Sequence, residues 1–482
     1  MTRPVLVFGT LLSSGLALAQ TPMPPAPTPT APTTNPDGTP TPTDPTTTSP
    51  AEPVTTPTVT APEEDTQDPT VAQDLGISAS VFTARLYGYI AAIYEKSAPE
   101  PSGIGNNNET QYSKSPAEWD VTNFHVMLQG NVFGKYRYFI NLAAPGAGSP
   151  VEDATLGVRN AWVEFPLYRD LFNFRVGKTY RRFGLYNEVL DAVPTFIGIE
   201  PPEMFDGDHL MLTRTTNAML HGKLSANDAT ISYALATGND ERSDAEIPMG
   251  ADLRFSFQPG ILLGGSFYTT NGDAVPSVDL DGGNPIGGVA NWMEKDDFKV
   301  YSVFGQLDIS GFTLQLEYTA AVHDAVRDPN KVEFLAIGDP ADDMDEGAGL
   351  FPWQLQRFFT DTDNPSAATV RRDADYTVRA AYMRAGYDIK VSQMELVPYA
   401  QFDYYVNKEE IANEDFGGDN EAGLSDSGVI YKSTLGLVFR PARFIAVKID
   451  GSLHSAHFNG KWENYPEIRS SFSLYWELGD AQ

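Results

Sequence analysis

Cysteine is absent from the 482 residues, which excludes a disulfide scaffold and any thiolate metal site. Long apolar runs are missing as well. Beyond the N-terminus no stretch approaches the roughly 20 apolar residues that a membrane-spanning helix needs. Positive charge is scarce: 33 Lys and Arg stand against 64 Asp and Glu, a formal net charge of -31, and this balance argues against nucleic acid as a partner. The six histidines are scattered, and His454 with His457 is a weak metal signal, an ordinary interface or lumen role being the simpler reading. Neither a G-x-S-x-G elbow nor an H-E-x-x-H zinc helix occurs. No catalytic, cofactor-binding or metal-ligating residue is expected.

What is present begins with an export signal. Arg3 supplies a positive start, residues 5–18 form a short apolar run, and Ala17, Leu18 and Ala19 match the pattern that signal peptidase reads, so residues 1–19 are expected to be cleaved. Residues 20–75 form a leader dominated by proline and threonine with almost no aromatic residue. Such a chain can neither bury a core nor supply a continuous backbone ladder, and it is expected to be extended and disordered, a spacer or a tether.

Residues 76–482 change character. Period-two alternation recurs in sixteen segments, near 84–96, 121–133, 136–145, 156–167, 172–184, 209–225, 229–239, 249–259, 261–273, 298–310, 312–324, 374–390, 394–408, 427–441, 444–458 and 468–480. Most are about as long as the 9 to 11 residues of a tilted membrane strand. Phe312, Leu314, Leu316, Tyr318 and Ala320 alternate with Thr313, Gln315, Glu317 and Thr319, one set suited to acyl chains and the other to water. Short connections such as Gly134-Lys135, Gly311 and Ala442-Arg443 alternate with mostly long ones. A soluble sandwich shares the first pattern but not this asymmetry. The expected fold is all-β, a sixteen-stranded antiparallel transmembrane β-barrel with short periplasmic turns and long extracellular loops, in an outer membrane. A barrel of that size leaves an aqueous channel, whereas smaller ones fill with their own side chains. Passive diffusion of small hydrophilic solutes and ions follows, with an adhesive or tethering barrel as the alternative.

Residues 175–188 read Arg175-Val176-Gly177-Lys178-Thr179-Tyr180-Arg181-Arg182-Phe183-Gly184-Leu185-Tyr186-Asn187-Glu188. With the preceding Arg159-Asn160-Ala161-Trp162-Val163-Glu164-Phe165, this resembles the phosphate-selective porin O and porin P family, departing from it at Arg182, where proline is common, and at the inserted Tyr186-Asn187. The resemblance implies a trimeric outer-membrane porin whose inward-folded loops narrow the pore, with small solutes or inorganic anions passing through.

Parity places Arg85, Arg137, Arg175, Arg181, Arg254, Lys432, Arg440 and Lys448 inward, but also Glu164, Asp308, Glu317, Glu395, Asp403, Asp450 and Glu477. A mutually neutralising lumen is the simpler expectation; anion preference is the sharper one. The connection 185–208 is unusually apolar for an extracellular loop and is expected to fold into the barrel as a constriction or lid. Its Glu188, Asp191, Glu200 and Glu203 would then face Arg175 and Arg181. The pore-lining candidates are Arg137, Arg175, Lys178, Arg181, Arg182, Glu188, Asp191 and Arg254. Loop carboxylates such as Asp339, Asp342, Asp343, Asp345, Glu346, Glu409, Glu410, Glu414, Asp415, Asp419 and Glu421 are solvated surface charge or, alternatively, sites for divalent cations bridging to lipopolysaccharide.

Overall fold

The computed structural model describes residues 82–99, 101–104, 110–112, 117–145, 156–189, 195, 197–205, 210, 214–238, 247–257, 260–270, 288, 290–338, 347–412 and 420–478. The export signal, the leader, Asp191 and the clusters 339–346 and 413–419 lie outside them, as does the side chain of Glu421.

Each alternating segment becomes a strand. The first eight are β1 (Phe82–Ser97), β2 (Glu118–Val132), β3 (Tyr136–Pro145), β4 (Gly157–Tyr168), β5 (Phe172–Tyr180), β6 (Arg214–Ala226), β7 (Ala229–Gly238) and β8 (Met249–Phe257). There follow β9 (Ile261–Thr269), β10 (Met293–Ile309), β11 (Phe312–Arg327), β12 (Tyr376–Tyr387 continued by Ile389–Val391), β13 (Met394–Val406), β14 (Val429–Ala442), β15 (Ile445–Phe458) and β16 (Lys461–Leu478). β12 is broken at Asp388, whose N–H donates to Gly311 O at 2.8 Å. Both of its pieces pair with β13. Neighbouring strands run antiparallel, and β1 pairs with both β2 and β16, so the sheet closes and leaves no edge. A closed barrel satisfies its backbone internally, which is the condition for strands to cross lipid. Residues Pro101–Ile104 and Thr110–Tyr112 form a separate hairpin.

The two faces separate as the alternation predicts. In β11, Leu316 and Tyr318 are 44% and 43% exposed, while Glu317 and Thr319 between them are 3% and 2% exposed. Val163, Val176, Leu235, Leu253, Val303, Leu435, Ile449 and Phe472 continue the exposed set around the barrel, an apolar outer band fitted to acyl chains. Tight turns carry the chain at one end. Phe133-Gly134 and Ser310-Gly311 have φ of 55° and 64°, and 51° and 85°, the paired positive values of hairpin turns whose twist matches the strands.

Two expectations need correction. The connection between β15 and β16 is a tight turn, Asn459-Gly460, with φ of 47° and 76°, so β16 begins at Lys461 and loop lengths do not alternate strictly. Residues 461–467 pair with β15, Trp462 opposite His457 and Tyr465 opposite His454. The Asn459-Gly460 dipeptide is the sequence signal for this hairpin.

Nor is the inner face uniformly wet. Along β10 the inward residues include Phe298 and Val300, both fully buried, and Phe304, beside the polar Asp296, Ser302 and Gln306, so part of this strand is apolar on both faces. One face meets lipid; the other is covered by segments folded into the barrel. Leu185, Tyr186, Met204, Phe205, Trp292, Phe358 and Phe359 form one apolar cluster with the inner residues of β10, β11 and β12. Fully burying a side chain of this size contributes about 1.5–3 kcal/mol. Part of the cover is helical, within what the sequence presents as the long loop 325–373. Helix α1 (Pro329–Ile337) starts at Asp328, whose carboxylate accepts from Asn330 N at 2.9 Å. Pro329 suits the first turn. Helix α2 (Pro352–Phe358) follows, and Arg327 at the end of β11 pairs with Glu409 at 2.8 Å, tying that loop to the one after β13.

Candidate functional site

The segment after β5 is the element that shapes the lumen. It turns inward at Gly184, whose φ of 60° is a region that other residues rarely adopt, and a Cβ there would overlap the carboxylate of Glu317. That carboxylate accepts from Leu185 N at 3.0 Å and from Ser302 Oγ at 2.7 Å, while Gly184 N donates to Ser266 Oγ at 2.9 Å. The turn is thus held by β9, β10 and β11, four to six strands around the barrel from the strand it left. Tyr186 and Phe205 then pack on Tyr382 of β12, with centroids 6.0 and 6.4 Å away.

On the near side the charges form a compact group. Arg254 Nε lies 2.8 Å and Arg182 Nε 3.0 Å from Asp252 Oδ1, and Arg254 also reaches Glu188 Oε2 at 3.1 Å. Arg254 donates to Gly184 O at 3.0 Å, and Arg182 to Ser232 Oγ at 2.8 Å. Glu188 sits in a short 3-10 turn, Asn187–Val189, inside the barrel. Withdrawal from bulk water works against its charge, and the Arg254 and Arg182 guanidiniums outweigh that effect, holding its carboxyl below the usual carboxylate range.

On the far side residues 195–205 meet a second set of cations. Lys432 on β14 lies 3.0 Å from Glu200 and also pairs with Glu203, and Arg469 on β16 pairs with Glu200. The carbonyls are engaged too. Gly198 O accepts from Lys448 at 2.7 Å, Glu200 O from Arg384 at 3.1 Å and Thr195 O from Arg440 at 3.0 Å. From β8 to β16 the segment bridges opposite walls by ion pairs and hydrogen bonds at both of its ends.

The candidates fall unevenly around this bridge. Arg182, Glu188 and Arg254 belong to it. Arg181 is buried and lies 4.5 Å over the ring of Tyr268. Arg175 and Arg137 lie elsewhere, both paired with Glu164, Arg175 at 2.7 Å, with His221 Nε2 at 2.9 Å from the same carboxylate. Lys178 does not face the lumen. It is exposed on the face of β5 that carries Val176, opposite to Arg175, because alternation puts even-numbered residues of that strand outside. The expected pairing of Glu188, Glu200 and Glu203 with Arg175 and Arg181 is also corrected. The segment crosses the lumen instead of folding back on its own strand, so its carboxylates meet cations of β8, β14 and β16.

Asp252, Arg384 and Arg469 are site residues that the sequence reading missed. Asp252 shares parity with Arg254, and that spacing was the available signal; Arg384 and Arg469 become relevant only once the bridge is in place. Of the loop carboxylates, Glu409 is taken by Arg327, and Glu410 accepts from Asn407 Nδ2 at 2.9 Å. Among the described residues no cluster of His, Asp and Glu could hold a metal ion. His454 and His457 go to different carboxylates, Glu467 at 3.1 Å and Asp426 at 3.0 Å.

No protein-family model matches the chain, and no curated relative matches it either. Solved structures similar to it include an anion-selective porin from Comamonas acidovorans, 10% identical, with TM-score 0.48, covering 82% of this chain and 100% of that one. The outer membrane channel DcaP of Acinetobacter baumannii is 10% identical, with TM-score 0.47, covering 82% and 99%. OmpF of Salmonella typhi, in complex with daunomycin, is 12% identical, with TM-score 0.47, covering 83% and 99%.

Proposed function

We propose that this chain is an outer-membrane porin for passive diffusion of small hydrophilic solutes and ions. The observation that carries the reading is a closed sixteen-strand barrel whose lumen is crossed by an ion-paired segment. Sixteen strands leave a water-filled interior unless something plugs it, and a segment pinned at both walls narrows that interior. The apolar outer band supports placement in a membrane, with lipid and lipopolysaccharide around it. Arg175, Arg254 and Lys432 in the lumen are each paired with carboxylates, which supports weak ion preference over strong phosphate selectivity. The family likeness of residues 159–165 and 175–188 supports a homotrimer.

Purified protein in a planar bilayer is expected to give stable open steps. Silence across several preparations would sink the reading and favour an adhesive or tethering barrel. Removal of residues 21–70 is expected to leave barrel assembly and heat-stable electrophoretic mobility unchanged, since a chain of that composition supplies no strand.

A further inference from the structure

On the wall formed by β16, β1, β2, β3 and β4, three partly exposed rings, Tyr475, Tyr87 and Phe139, pack on a firm base of Tyr89, Ala91 and Met127. All three face the lumen. Tyr87 lies across from Met127 and Phe139 from Trp162, while Leu86 and Ile140 take the lipid side. Tyr87 and Tyr475 are 6.1 Å apart, and Trp162 backs Phe139 at 5.7 Å. Polar groups frame the rings. The Tyr87 hydroxyl donates to Gln129 Oε1 at 2.8 Å, Arg85 pairs with Glu477 at one margin, and Arg175, paired with Glu164, lies 4.0 Å over Trp162 at the other.

We propose that this wall is a binding site for neutral sugars in the lumen, an inference that rests on the reading of the barrel as a diffusion pore. A sugar ring presents electropositive C–H bonds on its faces and hydroxyls around its rim. The negative face of an aromatic ring accepts the first, and the second need donors and acceptors side by side. Arg85 with Glu477, Arg137 at the exposed edge of its pair with Glu164, and Gln129 offer that alternation. Their charges are already paired, which disfavours an anionic aromatic solute, whose carboxylate would compete with Glu477 or Glu164. The Tyr475 and Tyr87 rings on neighbouring strands, with Phe139 one strand further on beyond β2, would also let a ring slide from one platform to the next.

The test uses the full protein in a planar bilayer with maltotriose as probe, mannitol as an acyclic polyol and benzoate as an aromatic anion. Maltotriose is expected to lower the ion current saturably, at a half-blocking concentration at least tenfold below that of mannitol. Phe139→Leu should raise that concentration at least fivefold and Phe139→Tyr should not, each read against its own sugar-free current after heat-modifiable mobility confirms assembly. A conducting protein insensitive to maltotriose, or one blocked by benzoate alone, overturns the sugar site and leaves the porin reading standing. A protein that does not conduct overturns the porin reading. Tryptophan fluorescence of the detergent-solubilised protein titrated with maltotriose then decides the sugar site by itself: a saturable change lost in Phe139→Leu supports it, and a flat titration removes it.

Discussion

The Lys432 ammonium lies 3.0 Å from a carboxylate oxygen of Glu200, a residue 232 positions earlier in the chain, and pins the far end of the bridge to β14. Lys432 is buried and holds Glu203 as well, so removing its charge takes an ion pair from the buried Glu203 carboxylate, while Glu200 keeps Arg469. Lys432→Met is expected to destabilise the folded protein by about 3 kcal/mol, the scale of breaking a buried pair from one side. It should also shift the reversal potential in a salt gradient toward cations. Lys432→Arg should retain most of both properties. An unchanged denaturation midpoint for Lys432→Met would show that the pair does not hold the segment.

Gly184 makes a separate test of the turn into the lumen. Its φ of 60° and the Glu317 carboxylate beside it leave no room for a side chain. Gly184→Ala should cost about 1–3 kcal/mol. Displacing the bridge should raise single-channel conductance and open-state noise. Wild-type conductance in a folded Gly184→Ala protein would place the turn outside the conduction path.

Glu188 sets a pH dependence. Its carboxyl is held below the ordinary range, so its contribution is complete above the unfolded value of about 4.3 and disappears as pH falls through the lower folded value. Between pH 7 and pH 5 its hold on Arg254 and Arg182 should therefore be constant, and a loss should set in only below about pH 4. Glu188→Gln should bias the pore toward anions at neutral pH and abolish that acid-side change. A mutant whose reversal potential matches wild type at pH 7 would remove Glu188 from the conduction path.

The Asn459-Gly460 turn isolates a backbone effect. A Cβ at Gly460 would meet nothing within 4 Å, so Gly460→Ala changes little except the cost of its positive φ of 76°. A loss of about 1 kcal/mol is expected, with ion selectivity unchanged. Thermal denaturation of the folded electrophoretic band measures it, and an unshifted midpoint would argue against this turn geometry.

Much of the architecture was determined by the sequence alone. Alternation in segments such as 312–320 decides which side chains meet lipid, because a strand sends successive residues to opposite faces whatever its neighbours are. The count of sixteen strands and the parity of Arg175, Arg254 and Lys432 follow from that local rule. The apolar content of 185–208 likewise signals that this connection needs cover. Pairing across the lumen has no local rule. Glu200 meets Lys432 and Arg469, and Glu188 meets Arg254, because closure of β1 onto β16 fixes the width that the bridge must span. The same holds for β10, where Phe298 and Val300 point inward yet stay dry. Parity reports the direction of a side chain, and only the tertiary structure decides whether water or a folded-in segment waits there.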